Sequence, residues 1–175
     1  PMGYMIEDRF LRFALLNALE HEPKIETISG ETVVSQEVTP VGASVTLASG
    51  KPFSARLIIG SDGRKSQTAL RAGISRDVKD YGQTALVAAV AHELPHEGCA
   101  HQFFMPSGPL AILPLPGNAS SIVWSETHEN ASRINALSDA DFLDELRPRF
   151  GSFLGDISLA GGRFSYPLTL SVTPK

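Results

Sequence analysis

The chain is poor in cysteine, in net charge and in long apolar runs, and each shortage removes a class of function. A single cysteine, Cys99, cannot close an internal disulfide, so a reducing compartment such as the cytoplasm is the expected home. No run approaches the roughly 20 apolar residues of a spanning helix, and no stretch reads as a signal peptide, which leaves peripheral contact as the expected kind of membrane association. Lys and Arg number 15 against 19 Asp and Glu, a net charge of -4. That balance argues against nucleic acid as a partner, because a duplex binder presents a basic face. No Gly-x-Gly-x-x-Gly turn occurs anywhere among the 15 glycines, so the usual seat of a pyrophosphate on a helix N-terminus is missing. His92, His96 and His101 lie close in sequence but match no metal-ligand spacing; His92 and His101 flank a turn carrying Pro95 and Glu97 that reads as a solvated loop. Cys99 has no base near it in sequence and reads as a structural or idle thiol.

What is present is a folded domain: 42% hydrophobic and 19% charged residues over 175 positions suffice for one core or two small lobes. Leu11, Ala14, Leu15, Ala18 and Leu19 recur at helical spacing after Asp8, a candidate cap, and Pro23 ends that helix. Short strands are expected over 32–38, 44–47 and 53–60, with turns at 40–42 and at Ser49-Gly50. A helix after Ser66 should close at Gly73. Longer strand-like runs follow over 84–92, 100–105, 110–115 and 120–125, separated by Pro95, Gly98, Ser107-Gly108 and Gly117-Asn118. Short turns between successive strands imply an antiparallel sheet. Ser138 with Asp141 forms a capping box for a helix whose stripe is Phe142, Leu143, Leu146 and Phe150, and Pro148 should end it near Arg147. The pairs Asp139/Asp141 and Asp144/Glu145 read as its solvated face. Trp124 should pack in the sheet. A last strand is expected over 164–172, with Pro167 confining it to an edge or interrupting it.

The most informative stretch is Arg56-Leu57-Ile58-Ile59-Gly60-Ser61-Asp62-Gly63-Arg64-Lys65-Ser66. An apolar, β-branched run reads as a strand buried on both faces, and ligands of α/β proteins collect at the carboxyl ends of such strands. Asp62 can accept from a hydroxyl, and Gly63 lets a ligand approach the backbone. Asp-Gly after a strand is also ordinary turn chemistry. From Asp62 through Ala72-Gly73-Ile74 the chain resembles the Asp-Gly fingerprint of the class A FAD-dependent aromatic hydroxylases. Two further stretches resemble one branch of that family, the ubiquinone-biosynthesis hydroxylases acting on polyprenylated phenols. They are Gly3-Tyr4-Met5-Ile6-Glu7-Asp8-Arg9-Phe10-Leu11-Arg12 and, most specifically, Pro106-Ser107-Gly108-Pro109-Leu110-Ala111-Ile112-Leu113-Pro114-Leu115-Pro116 followed by Ser121-Ile122-Val123-Trp124.

The resemblance implies an α/β (α+β) chain: a partial FAD-binding domain over 1–80, with a buried strand and helices, then a partial substrate domain over 81–175, an antiparallel sheet with a helix near 139–147. It implies FAD chemistry, in which the reduced flavin activates oxygen and the protein orients an apolar aromatic substrate and excludes water. No side chain is singled out as a catalytic acid or base. The family's amino-terminal glycine turn and carboxy-terminal Gly-Asp motif have no counterpart here, so the chain is expected to be the middle section of a longer hydroxylase, to bind FAD weakly or not at all alone, and to be inactive by itself. NADPH or another electron donor remains open, as do contact with a membrane or with other ubiquinone-biosynthesis proteins and dimer formation through exposed apolar surfaces.

Carried over one at a time, Asp62, Gly63 and Ser66 match the motif and Arg9 matches an arginine at the start of the helix leading away from the flavin. The arginine expected three residues after Ser66 is replaced by Ala69, so loop support would have to come from Arg71 or Arg64. Substrate contacts are expected on 110–115, with Leu110, Ile112, Leu113 and Pro114 as candidates. Alternation puts Leu110, Ile112 and Pro114 on one face and Ala111, Leu113 and Leu115 on the other; one face should meet the core and the other a pocket. The alternative reading is a cofactor-free module that binds an apolar ligand or a protein partner.

Overall fold

The computed structural model describes residues 3–173. Its chain divides into two units: Asp8–Val78 with the last residues, and Lys79–Leu170 with the segment before Asp8. Among the described residues no helix is long and apolar enough to cross a membrane.

In the first unit α1 (Asp8–Glu20) forms as its periodicity predicts, with Asp8 in the first turn where a carboxylate suits the helix dipole. None of its residues is buried. β1 (Val33–Thr39), β2 (Gly42–Leu47) and β3 (Pro52–Ala55) make a three-stranded antiparallel meander. The expected strand over 53–60 stops at Ala55. The apolar run beyond it pairs with no strand among the described residues, and Leu57 and Ile59 stand 70% and 79% exposed. A buried parallel strand exists only by hydrogen bonding to neighbours and by cover from helices. Among the described residues α2 meets this run at Gly60 but no strand pairs with it, so its strand propensity has nothing to act on. α2 (Gln67–Arg71) follows, capped by the Ser66 hydroxyl on Ala69 N. It ends in a Schellman turn: Ile74 N reaches Ala69 O and Gly73 N reaches Leu70 O, with Gly73 at φ +72°.

The second unit is a six-stranded sheet with two helices. β4 (Asp77–His92), β5 (His101–Met105), β6 (Gly108–Leu115), β7 (Ala119–Thr127) and, after α3 (His128–Asn135) and α4 (Asp139–Phe150), β8 (Ile157–Leu159) lie in the order β5-β6-β7-β4-β8. The last strand, β9 (Phe164–Val172), pairs with β4, so Pro167 sits in a continuous strand beside that path. β4 starts seven residues earlier than the expected run at 84, and it pairs with β7 from Gln83↔Thr127 to Ala91↔Ala119.

Alternation across this sheet separates its faces. Leu86, Ala88 and Val90 of β4 align with Leu110 and Ile112 of β6 and with Ile122 and Trp124 of β7, and all are buried. Their core is completed by Ala131 and Ile134 of α3 and by Phe142, Leu146 and Phe150 of α4. The opposite face carries Val87 and Ala89, Ala111 and Leu113, and Ser121 and Val123, all half-exposed.

α4 runs three residues past its expected end, to Phe150. Proline costs about 3 kcal/mol inside a helix, but in a last turn Pro148 forfeits only one bond. Burying Phe150 recovers about 1.5–3 kcal/mol, and Gly151 N closes the end on Arg147 O. α3 went unpredicted because its sequence has only two apolar residues, Ala131 and Ile134, both buried. The Thr127 hydroxyl caps it on Asn130 N. The helix owes its existence to that cap and to the sheet beneath it.

The division into faces predicts unequal costs for two neighbouring leucines. Leu110→Ala should lower unfolding free energy by about 2–5 kcal/mol, whereas Leu113→Ala should cost about 1 kcal/mol or less. Urea denaturation of both variants measures this, and equal costs would contradict the assignment.

Candidate functional site

The Asp-Gly loop is built by its own carboxylate. Ser66 Oγ donates to Asp62 Oδ1, while Thr68 N and Thr68 Oγ1 donate to Oδ2 at 3.0 and 3.1 Å. Asp62 is therefore an extended cap for α2. The Ser66 hydroxyl, foremost, and the Thr68 amide hold its carboxyl well below the usual aspartate range. Gly63 adopts φ +78° with open space where a Cβ would stand. Gly60 presses against Thr68 so closely that a Cβ there would lie 2.8 Å from its methyl carbon. The loop carbonyls are held from below by Arg76, whose Nη1 donates to Gly63 O at 3.3 Å and to Arg64 O at 2.7 Å. Arg71 turns away and donates to Val33 O of β1 at 2.6 Å.

Beneath the loop lies a cavity of about 610 Å³ between the meander, residues 57–60 and α2, with Gln36, Arg56, Ile58 and Ala69 among its lining. Gln36 Oε1 is buried there without a hydrogen-bond partner. These features fit part of a dinucleotide. Asp62 Oδ1 has acceptor capacity left after its bond from Ser66, Gly63 offers a bare backbone edge, and the cavity holds an unused acceptor.

In the sheet unit the open face is an apolar floor made shallow by alanines. Cross-strand rows read Ala89, Ser121, Leu113 and then Val87, Val123, Ala111, with Gln102 of β5 beside Ala111. Phe104, paired with Pro109, stands 84% exposed on the same side. The far end is closed by the turn at Gly108. There Gln83 Nε2 donates to Ser107 O at 2.6 Å, and a Cβ on Gly108 would lie 2.8 Å from Ser125 Cβ.

No family model matches the chain. Ubiquinone hydroxylase UbiL of Rhodospirillum rubrum is 45% identical over 170 residues, which cover 97% of this chain and 40% of that protein. The 3-demethoxyubiquinol 3-hydroxylase of Escherichia coli is 32% identical over 169 residues, 96% of this chain and 43% of its own length. By sequence, the chain is similar to these ubiquinone hydroxylases along nearly all of its own length. It spans about two fifths of the length of these curated relatives. Among solved structures, the flavin-dependent monooxygenase PieE, crystallised with FAD and substrate, superposes with a TM-score of 0.72 at 14% identity, covering 97% of this chain and 31% of that one. At that identity the likeness shows the fold, a mixed α/β arrangement with antiparallel sheets shared with flavin-dependent monooxygenases.

The expected site residues divide. Asp62, Gly63 and Ser66 come together in one loop, with Ser66 acting through Asp62. Arg9 lies on α1 with its guanidinium 4.6 Å from the ring centroid of Phe10. Arg71, one of the two candidates to stand in for the arginine absent at Ala69, is engaged at Val33 O. Arg76 braces the loop, a role sequence spacing missed because the Schellman turn after α2 brings it back beneath residues 63–64. Leu110 and Ile112, expected at the substrate, are buried in the core with residues of α3 and α4. Pro114 shares their side and is half-buried, so of the four candidates Leu113 lies on the open face.

His92 ends β4 and His101 opens β5, flanking the exposed turn as expected, and each has a partner of its own. His92 is buried, its Nδ1 donating to Leu94 O at 2.7 Å and its Nε2 accepting from Ser120 Oγ at 3.1 Å. His96 Nε2 donates to Leu115 O at 2.8 Å, and His101 packs on Phe153. Among the described residues no group of His, Cys, Asp or Glu could hold a metal. Cys99 is exposed. The acidic pairs of α4 are more than a solvated face: Asp139 meets Arg163, Asp144 meets Arg147, and Glu145 meets Arg133 and Arg149.

The Asp62 cap carries a pH signature. Because its folded pKa is depressed, its contribution to the α2 cap is present above the ordinary aspartate range and is lost only as pH falls through the lower folded value. In carboxyl-detected NMR Asp62 should stay ionised at about pH 3–4, where ordinary aspartates titrate. An ordinary midpoint would contradict the cap.

Proposed function

We propose that this chain is part of an FAD-dependent monooxygenase that hydroxylates an aromatic, polyprenylated phenol intermediate of ubiquinone biosynthesis. The observation that carries the proposal is 45% identity to a ubiquinone hydroxylase sustained along 97% of the chain. The open apolar face suits the same substrate class.

The residues have separate duties in this reading. Asp62 and Gly63 would hold part of FAD, with Ser66, Thr68 and Arg76 keeping the loop in shape. When bound, the flavin supplies the oxygen-activating redox chemistry. Val87, Ala111, Leu113 and Val123 receive the aromatic ring and displace water from it, since apolar surface gives about 25 cal/mol per Å² when covered. Phe104 offers further apolar surface for an isoprenoid tail. Such a tail partitions into lipid, so the working place proposed is the cytoplasmic side of a membrane, reached by peripheral contact.

The full-length protein, purified with FAD, should take up oxygen in response to a 2-polyprenylphenol and a reductant, and release a product carrying one more oxygen atom. Comparison of NADPH with other donors identifies the reductant. Oxygen uptake indifferent to the phenol, with no oxygenated product by mass spectrometry, would overturn the proposal.

A further inference from the structure

The open face of the sheet has one polar point in its middle. Ser121 lies on β7 between its cross-strand neighbours Ala89 of β4 and Leu113 of β6, and it is half-exposed. Its hydroxyl has no hydrogen-bond partner among the described residues. The next row along β7 is Val87, Val123 and Ala111, apolar as far as the edge strand, where Gln102 of β5 stands beside Ala111. Ser125, two rows away on the same strand, is buried against the Gly108 turn and closed off. Ser120 points to the other face, where it serves His92. Ser121 is thus the accessible hydroxyl among these strand-centre residues.

A lone hydroxyl in an apolar field is complementary to an aromatic ring that carries a hydroxyl of its own. Rows on one face repeat about every 6.8 Å along a strand. A ring centre to its hydroxyl oxygen with one hydrogen bond added spans about 5.5 Å, within that repeat. A ring resting on Val87, Val123 and Ala111 can therefore bring a phenolic oxygen to Ser121 without leaving the floor. Alanines at 89 and 111 keep the floor low enough for the ring to lie flat.

We infer that Ser121 orients the substrate on this face by hydrogen bonding to its phenolic hydroxyl, and so selects hydroxylated rings over bare ones. This rests on the reading of the face as the phenol site. Hydrogen bonding fixes which ring edge points toward Ala89 and Leu113 and which points away, so the residue determines orientation as well as preference.

The test compares a short-chain 2-prenylphenol with the matching prenylbenzene by calorimetric titration of this 175-residue chain and three variants. Ser121→Ala should weaken phenol binding by about 3- to 10-fold and leave prenylbenzene binding unchanged. Ser121→Thr, which keeps the hydroxyl, should retain the preference, and Ser121→Val, of similar shape without it, should not. A matched thermal midpoint shows that folding is intact. If the chain binds both ligands and Ser121→Ala weakens both equally or neither, the role of Ser121 is overturned while the face stands. If wild-type chain binds neither ligand, the face itself is wrong and the inference falls with it.

Discussion

Everything assigned to the sheet depends on α3 and α4 closing one of its faces. A strand shows alternate residues to opposite sides, so sealing one side leaves every second residue of β4, β6 and β7 on the other. The seal is apolar at its centre, where Ile134, Phe142, Leu146 and Phe150 meet Leu110, Ile112, Ile122 and Trp124. It is pinned by a buried carboxylate: Glu126 accepts from Trp124 Nε1 at 2.9 Å and from Asn130 Nδ2 at 2.8 Å, with Arg149 Nε at 4.0 Å. Arg149 also lies 4.8 Å over the Trp124 ring and binds Glu145. A charge buried this deeply is tolerated because several donors satisfy it, and those donors come from β7, α3 and α4 together. The network fixes which helix faces enter the core and leaves Val87, Ala111, Leu113, Ser121 and Val123 uncovered.

A smaller constraint of the same kind governs the Asp-Gly loop. Asp62 satisfies groups that a short helix would otherwise leave unpaired, and Arg76 satisfies the loop carbonyls. Both side chains are occupied in holding shape, so the loop is preorganised before any ligand arrives. The features free to meet one are the bare edge at Gly63, the remaining acceptor capacity of Asp62, and the buried Gln36 oxygen in the cavity below. At the start of β4 a comparable tie links strand to helix. His128 Nε2 donates to the Asp80 carboxylate at 3.1 Å and Thr84 Oγ1 donates to His128 Nδ1 at 2.8 Å. The Asp80 carboxyl is held below its usual range by the Gly82 amide foremost and by His128.

The sequence made local features legible and left relational ones hidden. The Ser66 and Ser138 caps, the Gly73 turn and the β5, β6 and β7 hairpins follow from side chains acting on their own neighbourhood. Residues 57–60 look like a buried strand because they are apolar and β-branched, yet a strand is a property of its partners. α3 was hidden for the converse reason, since its two apolar residues gain meaning only from the core above which they sit. For the site, alternation separated Leu110 and Ile112 from Leu113, but which set meets the core depends on two helices that come later in the chain. Arg76 was out of reach because a reversal of the chain, invisible in spacing, brings it to the loop.

The central claim is that the ligand surface of the sheet is the face carrying Val87, Leu113 and Val123. Methyl-resolved NMR of the isotopically labelled chain, titrated with a short-chain prenylphenol, tests it most directly. The account predicts shifts at the methyls of Val87, Leu113 and Val123 while those of Leu110, Ile112 and Ile122 stay in place. Shifts confined to Leu110, Ile112 and Ile122, or no shift in either set at saturating phenol, would contradict it.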